Sequence, residues 1–217
     1  MKKYPELIIF AKAPLPGVSK TRLARETTPE FAARVSAIMT EHIVRTATDC
    51  WQGSVTLHVL EEVNHPYFID LSKCYPITIQ KQGRGNLGVK MSTAVHGALD
   101  RGYSACIVGS DIPQCSGKIL EAANQALQKG EAVLGPSADG GYYLIGLSRP
   151  CESLFINIPW STTQVWQVTL EEAKRIKYNF TLLPELMDVD RWEDLVTESR
   201  GIPELGQLIK EFKQNRN

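Results

Sequence analysis

Apolar residues in this chain gather in short continuous runs, and between the runs they recur at helical spacing. Residues 6–11 (ELIIFA), 55–60 (VTLHVL) and 105–109 (ACIVG) are strand-length apolar stretches of the kind buried on both faces of a sheet. Residues 77–79, 132–134, 142–147 and 180–183 add shorter or weaker strands. Thr28 reads as an N-cap with Pro29 at the first helical position, and Phe31, Val35, Ile38, Met39 and Ile43 carry that helix to about Cys50. A second helix spans 89–99 and stops at Gly102, and a third runs from a Ser116 cap through Leu127 to Gly130. Ser161-Thr162-Thr163-Gln164 has capping-box form and opens a helix to about Lys177, with two further helices after the last strand.

Strand and helix in alternation predict an α/β fold: a mostly parallel central sheet, helices on both faces, and ligands bound beyond the carboxyl ends of the strands. The loops after the first, fourth and sixth strands are therefore where chemistry is expected. At 217 residues the chain fits one domain, residues 1–217, removing roughly 70 % of its unfolded surface from water. Lys plus Arg and Asp plus Glu both number 24 and are interspersed, which argues against a nucleic-acid partner. No apolar run approaches the roughly 18 residues of a membrane span. Met1-Lys2-Lys3 is basic like a signal peptide, but the apolar stretch after it soon meets Lys12 and Pro14, so it reads as the start of the fold. Five cysteines without Cys-x-x-Cys spacing predict reduced thiols in a cytoplasmic protein rather than a zinc site or disulfide framework.

The loop after the first strand, Lys12 to Arg22, is stiff and cationic. Backbone N–H groups around Gly17, with Lys12, Lys20 and Arg22, suit a pyrophosphate. It is not a Walker A loop, since Pro14 and Ser19 stand where that motif needs glycine. Gly83 to Gly88 spells G-x-G-x-x-G ahead of a helix, but the strand before it is short and polar for a dinucleotide fold and sits mid-chain. Asp111 directly follows an apolar strand, where a carboxylate can hold Mg²⁺ or cap a turn before Pro113. Asp139, in Gly135 to Tyr143, reads either as an acid contacting substrate hydroxyls or as the Asp-Gly of a hairpin turn. Asp188-Val189-Asp190 offers another carboxylate pair, with helix capping by Asp190 as the competing role.

Five ordered segments together resemble a family of GT-A-fold, cofC-like transferases, known as transferase 1 of the radical-SAM/selenodomain-associated group. They are F-A-K-A-P-x-P-G-x-x-K-T-R-L-A at 10–24, Q-G-x-G-x-L-G at 82–88, G-S-D-x-P at 109–113, G-P-x-x-D-G-G-Y-Y-L-I-G-L at 135–147 and W-S-T at 160–162. The resemblance spans nearly the whole chain and extends to 2-phospholactate guanylyltransferases and, more distantly, molybdenum-cofactor guanylyltransferases. It implies a single nucleotide-diphospho-sugar transferase domain of GT-A fold that uses Mg²⁺ or Mn²⁺. Asp111 and Asp190 then bind the metal, and Lys12, Gly17, Lys20, Arg22, Gln82, Gly83 and Gly85 bind the nucleotide and its phosphates. Asp111 and Asp139 are the implied catalytic acids, while Gly140, Gly141, Tyr142, Trp160 and Ser161 face the transferred sugar or its acceptor. The family usually has Asp at Asn86, Arg at Lys90, and D-V-D-T-P-E-D-L where this chain has D-V-D-R-W-E-D-L. Asn86 removes a charge from the substrate loop, and Lys90 gives up a bidentate fork.

The partners implied are a nucleotide or nucleotide-sugar and a small-molecule acceptor. The leading reading is a metal-dependent glycosyltransferase. The second is a nucleotidyltransferase, in which a substrate phosphate attacks the α-phosphate of a nucleoside triphosphate, and the third a nucleotide-binding protein without activity. The sequence names neither base, sugar, acceptor, stereochemical outcome nor oligomeric state.

Overall fold

The computed structural model describes residues 3–60 and 63–215, so Met1 and Lys2 of the basic tripeptide lie outside the described residues. Strands β1 (Glu6–Ala11), β2 (Val55–Val59), β3 (Ile77–Lys81), β4 (Ala105–Gly109), β5 (Ala132–Pro136), β6 (Tyr142–Leu147) and β7 (Phe180–Leu182) form one sheet in the order β3-β2-β1-β4-β6-β5-β7. All pairings are parallel except those of β6, which runs antiparallel between β4 and β5. The helices are α1 (Thr21–Glu26), α2 (Pro29–Cys50), α3 (Pro66–Cys74), α4 (Leu87–Asp100), α5 (Gly117–Gln128), α6 (Val165–Arg175), α7 (Trp192–Glu198) and α8 (Pro203–Gln214). None is long and apolar enough to cross a membrane among the described residues.

The unbroken apolar runs of the central strands have the expected cause. Leu7, Ile9 and Ala11 of β1 point into one cluster with Ile43 and Ala47 of α2, Phe68 of α3, and Leu120 and Leu127 of α5. Ile8 points the other way, among Val95 and Ala98 of α4 and Ala173 of α6. Both faces are thus covered, and each fully buried Leu or Ile stabilises the fold by roughly 1.5–3 kcal/mol. A third cluster packs Leu23 of α1, Phe31 and Val35 of α2, and Leu205 and Leu208 of α8 around Val189. That cluster brings the chain's last quarter back against the first loop.

Two helices went unread in the sequence. α1 buries only Leu23 and starts from Lys20 in left-handed backbone without a side-chain cap, and α3 buries only Phe68 and Leu71. Neither carries enough apolar positions to show a period. The helix expected at 89–99 begins two residues earlier, because the Asn86 carboxamide accepts from Val89 N at 3.0 Å. The capping box at 161–164 does not form. Ser161 is left-handed (φ 67°), and α6 starts at Val165 from Gln164 with no side-chain cap bond.

Candidate functional site

The parallel strands β1 and β4 end at the same edge of the sheet, delivering Lys12 and Asp111 to it. β6 is antiparallel, so its beginning, Tyr142, reaches that edge. The hairpin carrying Asp139 therefore precedes the sixth strand, and the chain after β6 contributes only once it has returned at Trp160. A cleft of about 860 Å³ opens there and is lined by Lys12, Lys20, Arg22, Gln82, Asp111 and Asp139, with Gly141, Tyr142, Trp160, Ser161 and Asp190. Gly17, Gly83, Gly85 and Gly140 are not on its lining; Gly17, Gly85 and Gly140 instead turn the backbone at φ 77°, 106° and 87°.

At one end the cleft is ionic. Lys20 Nζ donates to Asp111 Oδ1 at 2.5 Å and to the Val189 carbonyl at 2.8 Å. The Lys20 side chain is only 4 % exposed, against 53 % for Asp111. Arg22 Nη1 lies 2.5 Å from Asp190 Oδ2, both side chains facing solvent. An exposed pair of that kind contributes about 0–1 kcal/mol, so it is readily exchanged for a ligand phosphate. Val189 is fully buried and its N–H donates to the Asp111 carbonyl at 3.1 Å, which fixes the D-V-D segment beside the end of β4. Asp190 is not a helix cap. Arg191 holds that position in α7, and Asp194 Oδ2 accepts from the backbone N–H groups of both Asp190 and Arg191.

Asp188 also lines the cleft, and sequence reasoning did not place it among the site residues although D-V-D was its signal. Its carboxylate accepts from Ser137 Oγ. Burial pushes its pKa up to about 6; the Ser137 bond opposes that, and the charges of Asp139, Asp111 and Asp190 add to it. Asp188 thus feels the acids of both ends of the cleft, Asp111 and Asp190 beside it and Asp139 beyond. Among the described residues no three metal-ligating side chains are gathered closely enough to hold an ion by themselves. The hard oxygens of Asp111, Asp190 and Asp188 nevertheless fit Mg²⁺ or Mn²⁺, since Mg²⁺ is usually bound by one or two carboxylates plus substrate phosphates and water.

The other end is a wall of small and aromatic residues. Asp139 Oδ1 accepts from Gly141 N at 2.9 Å, so the Asp-Gly turn and a cleft-facing acid are the same feature. The turn is clamped: the Gly140 carbonyl accepts from Trp166 N at 2.8 Å, and a Cβ on Gly140 would stand 2.2 Å from the Thr163 carbonyl oxygen. Tyr142 meets Trp160 edge-on at 6.1 Å; its hydroxyl has no hydrogen-bond partner among the described residues, and burial drives its pKa upward. Trp160 rests on the first turn of α4, where a Cβ on Gly88 would approach Trp160 Nε1 to 2.3 Å.

Between the two ends, Gln82 Nε2 donates to the His58 carbonyl at 2.9 Å and the Ala11 carbonyl at 3.4 Å, holding the loop to the ends of β1 and β2. The G-x-G-x-x-G match here follows β3, the partly exposed edge strand of the sheet, not the central strand a dinucleotide fold requires. Asn86 caps α4, a role its amide fills as an aspartate would. Leu60, Leu87, Lys90 and Met91 complete this stretch of lining. Of these the sequence singled out only Lys90, as a departure from the family's arginine; Leu87 and Met91, four apart at the start of a helix, are also an ordinary core pattern.

Fold and cleft together define a member of the GT-A-like nucleotide-diphospho-sugar transferase superfamily, a class the solved structures bear out. A protein from Desulfovibrio desulfuricans G20, provisionally described as a nucleotide-diphospho-sugar transferase, superposes with TM-score 0.82 at 26 % identity, covering 97 % of this chain and 98 % of that one. 4-Diphosphocytidyl-2C-methyl-D-erythritol synthase from Anaerococcus prevotii (TM-score 0.59, 11 % identity, 91 % and 95 % covered) shares the fold. So does a cytidylyltransferase from Leptospira borgpetersenii (TM-score 0.55, 17 % identity, 99 % and 95 % covered). No curated protein matches. Residues 43–162 match the family described as an uncharacterized protein conserved in bacteria (DUF2064), and the chain belongs to that family.

Proposed function

We propose that this protein is a metal-assisted glycosyltransferase that moves a sugar from a nucleoside diphosphate to the hydroxyl of a small acceptor, with residues 1–217 acting as one catalytic domain. The observation that carries this reading is a single cleft with cations and carboxylates at one end and an aspartate beside paired aromatics at the other. The overall likeness to the Desulfovibrio protein supports a sugar-nucleotide substrate over other ligands of the fold.

In this reading the diphosphate lies along the ionic end. Arg22 leaves Asp190 and forks onto the phosphate oxygens, and Lys12 adds a point charge. Asp111 and Asp190, with Asp188 behind them, would hold Mg²⁺ or Mn²⁺, which supplies charge neutralisation of the departing diphosphate. The sugar lies against Tyr142 and Trp160. Asp139 keeps one oxygen on Gly141 N, and its other oxygen takes the proton of the acceptor hydroxyl as that oxygen bonds to the anomeric carbon. The bond from that carbon to the phosphate oxygen breaks, and the nucleoside diphosphate leaves with the bonding pair. Stabilising that leaving group is the largest contribution asked of the site.

A product assay tests the reading. Incubation with sugar nucleotides, Mg²⁺ and a pool of candidate acceptors should release nucleoside diphosphate. Release of pyrophosphate from a nucleoside triphosphate, dependent on a phosphorylated acceptor, would instead establish nucleotidyl transfer.

A further inference from the structure

Four cations line the cleft, Lys12, Lys20, Arg22 and Lys90, and they differ sharply in what holds them. Lys20 is buried, and its ammonium already has two acceptors, the Asp111 carboxylate and the Val189 carbonyl. These belong to segments more than 75 residues apart (189 minus 111 is 78), and Lys20 itself comes from a third. Its backbone is left-handed (φ 47°), a conformation uncommon for a residue with a Cβ, and it immediately precedes α1. The same three segments are joined again by the bond from Val189 N to the Asp111 carbonyl and by the packing of Leu23 with Val189. Lys12 and Lys90 are the opposite case: Lys12 is exposed and Lys90 half-buried, and neither ammonium has a hydrogen-bond or ion-pair partner among the described residues.

We propose that Lys20 is a positioning residue that ties Asp111 to the D-V-D segment, and that Lys12 and Lys90 are the lysines that meet the anionic part of the ligand. An ammonium with two oxygens at 2.5 and 2.8 Å has one N–H left, and with its side chain only 4 % exposed it is poorly placed to receive a phosphate. Lys90 stands on the first turn of α4 and shares the cleft lining with Leu87 and Met91. Lys12 lies on the same lining, directly after the end of β1, which Gln82 bonds to the loop ahead of α4. The ligand class is a nucleoside diphosphate or another organic diphosphate; this rests on the transferase reading for the identity of the anion, whereas the role of Lys20 does not.

Reductive methylation with labelled formaldehyde, read by mass spectrometry, separates the three lysines. Without ligand, Lys12 and Lys90 should be modified readily and Lys20 should resist. Adding ADP, CDP, GDP, TDP or UDP with Mg²⁺ should protect Lys12 and Lys90 with at least one nucleotide. Modification of Lys20 at the rate of Lys12, with protection by nucleotide, would overturn the assignment. If Lys20 resists and no nucleotide protects any lysine, the anion site and the transferase reading fall while the tie stands. Lys20→Met should weaken Mg²⁺-dependent nucleotide binding by roughly 10- to 100-fold, the usual effect of losing a group that orients a metal ligand. Combined with Asp111→Asn it should lose no more than Asp111→Asn alone, whereas the Lys12→Met loss should add to it. Additive losses for Lys20→Met would place it on the ligand directly. Lys20→Arg, which keeps the charge, replaces the methionine variant if that variant fails to fold.

Discussion

Asp111 and Asp139 show how one residue type divides into two roles through its surroundings. Asp111 is held by Lys20 while half of its side chain stays exposed, and Asp139 is braced by Gly141 N, its second oxygen without a hydrogen-bond partner among the described residues. Asp139→Asn keeps an acceptor for that N–H, so its melting temperature should stay near wild type while kcat falls by roughly 10²- to 10⁴-fold, the usual share of a general base. A comparable loss of melting temperature would mean that the carboxylate is structural. His58 makes a pH prediction. It is buried against Phe10, and burial lowers its pKa to about 4, an effect Arg101 reinforces and Glu6 opposes. A folded-state pKa below the unfolded 6.5 means stability is fully present above pH 6.5 and drains away as pH falls from there towards about 4. The full loss is on the order of 3 kcal/mol. Urea titrations of wild type and His58→Phe between pH 7 and pH 4.5 should differ in slope by that contribution, and parallel slopes would contradict it.

At the scale of elements, the cleft walls depend on close backbone approaches that tolerate no added methyl group. Gly88→Ala drives a Cβ to 2.3 Å from Trp160 Nε1 and 2.5 Å from the Phe155 carbonyl, which should cost about 1–3 kcal/mol and displace Trp160. Gly97→Ala, in the same helix with nothing nearer than 3.7 Å, should stabilise by about 0.5–1 kcal/mol in the same denaturation assay. Asp194→Ala removes the carboxylate that holds two N–H groups at the start of α7, at a cost of about 1 kcal/mol, and loosens the D-V-D segment ahead of it. Its nucleotide affinity should fall with its stability. The strands and the long helices were legible in the sequence because burial on two faces, or on one helical stripe, leaves a period. α1 and α3 were not, since each buries one or two side chains, and the expected start of α6 failed because Ser161 and its neighbours form the cleft wall before the helix begins.

For the whole molecule, the order of strand and helix predicted a mostly parallel α/β sheet, and the antiparallel β6 is the one strand whose direction that order did not reveal. Its reversal matters for the site, because it brings the beginning of the strand, with Asp139 and Tyr142 close by, to the edge where β1 and β4 end. Five motifs spread from residue 10 to residue 162 were readable singly as chemistry. Their convergence with the D-V-D segment was not: that Lys20 faces Asp111, that Arg22 faces Asp190, or that the half-buried Asp188 feels three other acids depends on Val189 packing beneath α1. The account as a whole stands on nucleotide binding at Asp111. The direct measurement is the melting temperature of wild type and Asp111→Asn across the common nucleoside diphosphates with Mg²⁺ or Mn²⁺. A rise with at least one nucleotide, dependent on the metal and lost in Asp111→Asn, is the predicted result; no rise with any nucleotide, or the same rise in both proteins, would contradict it.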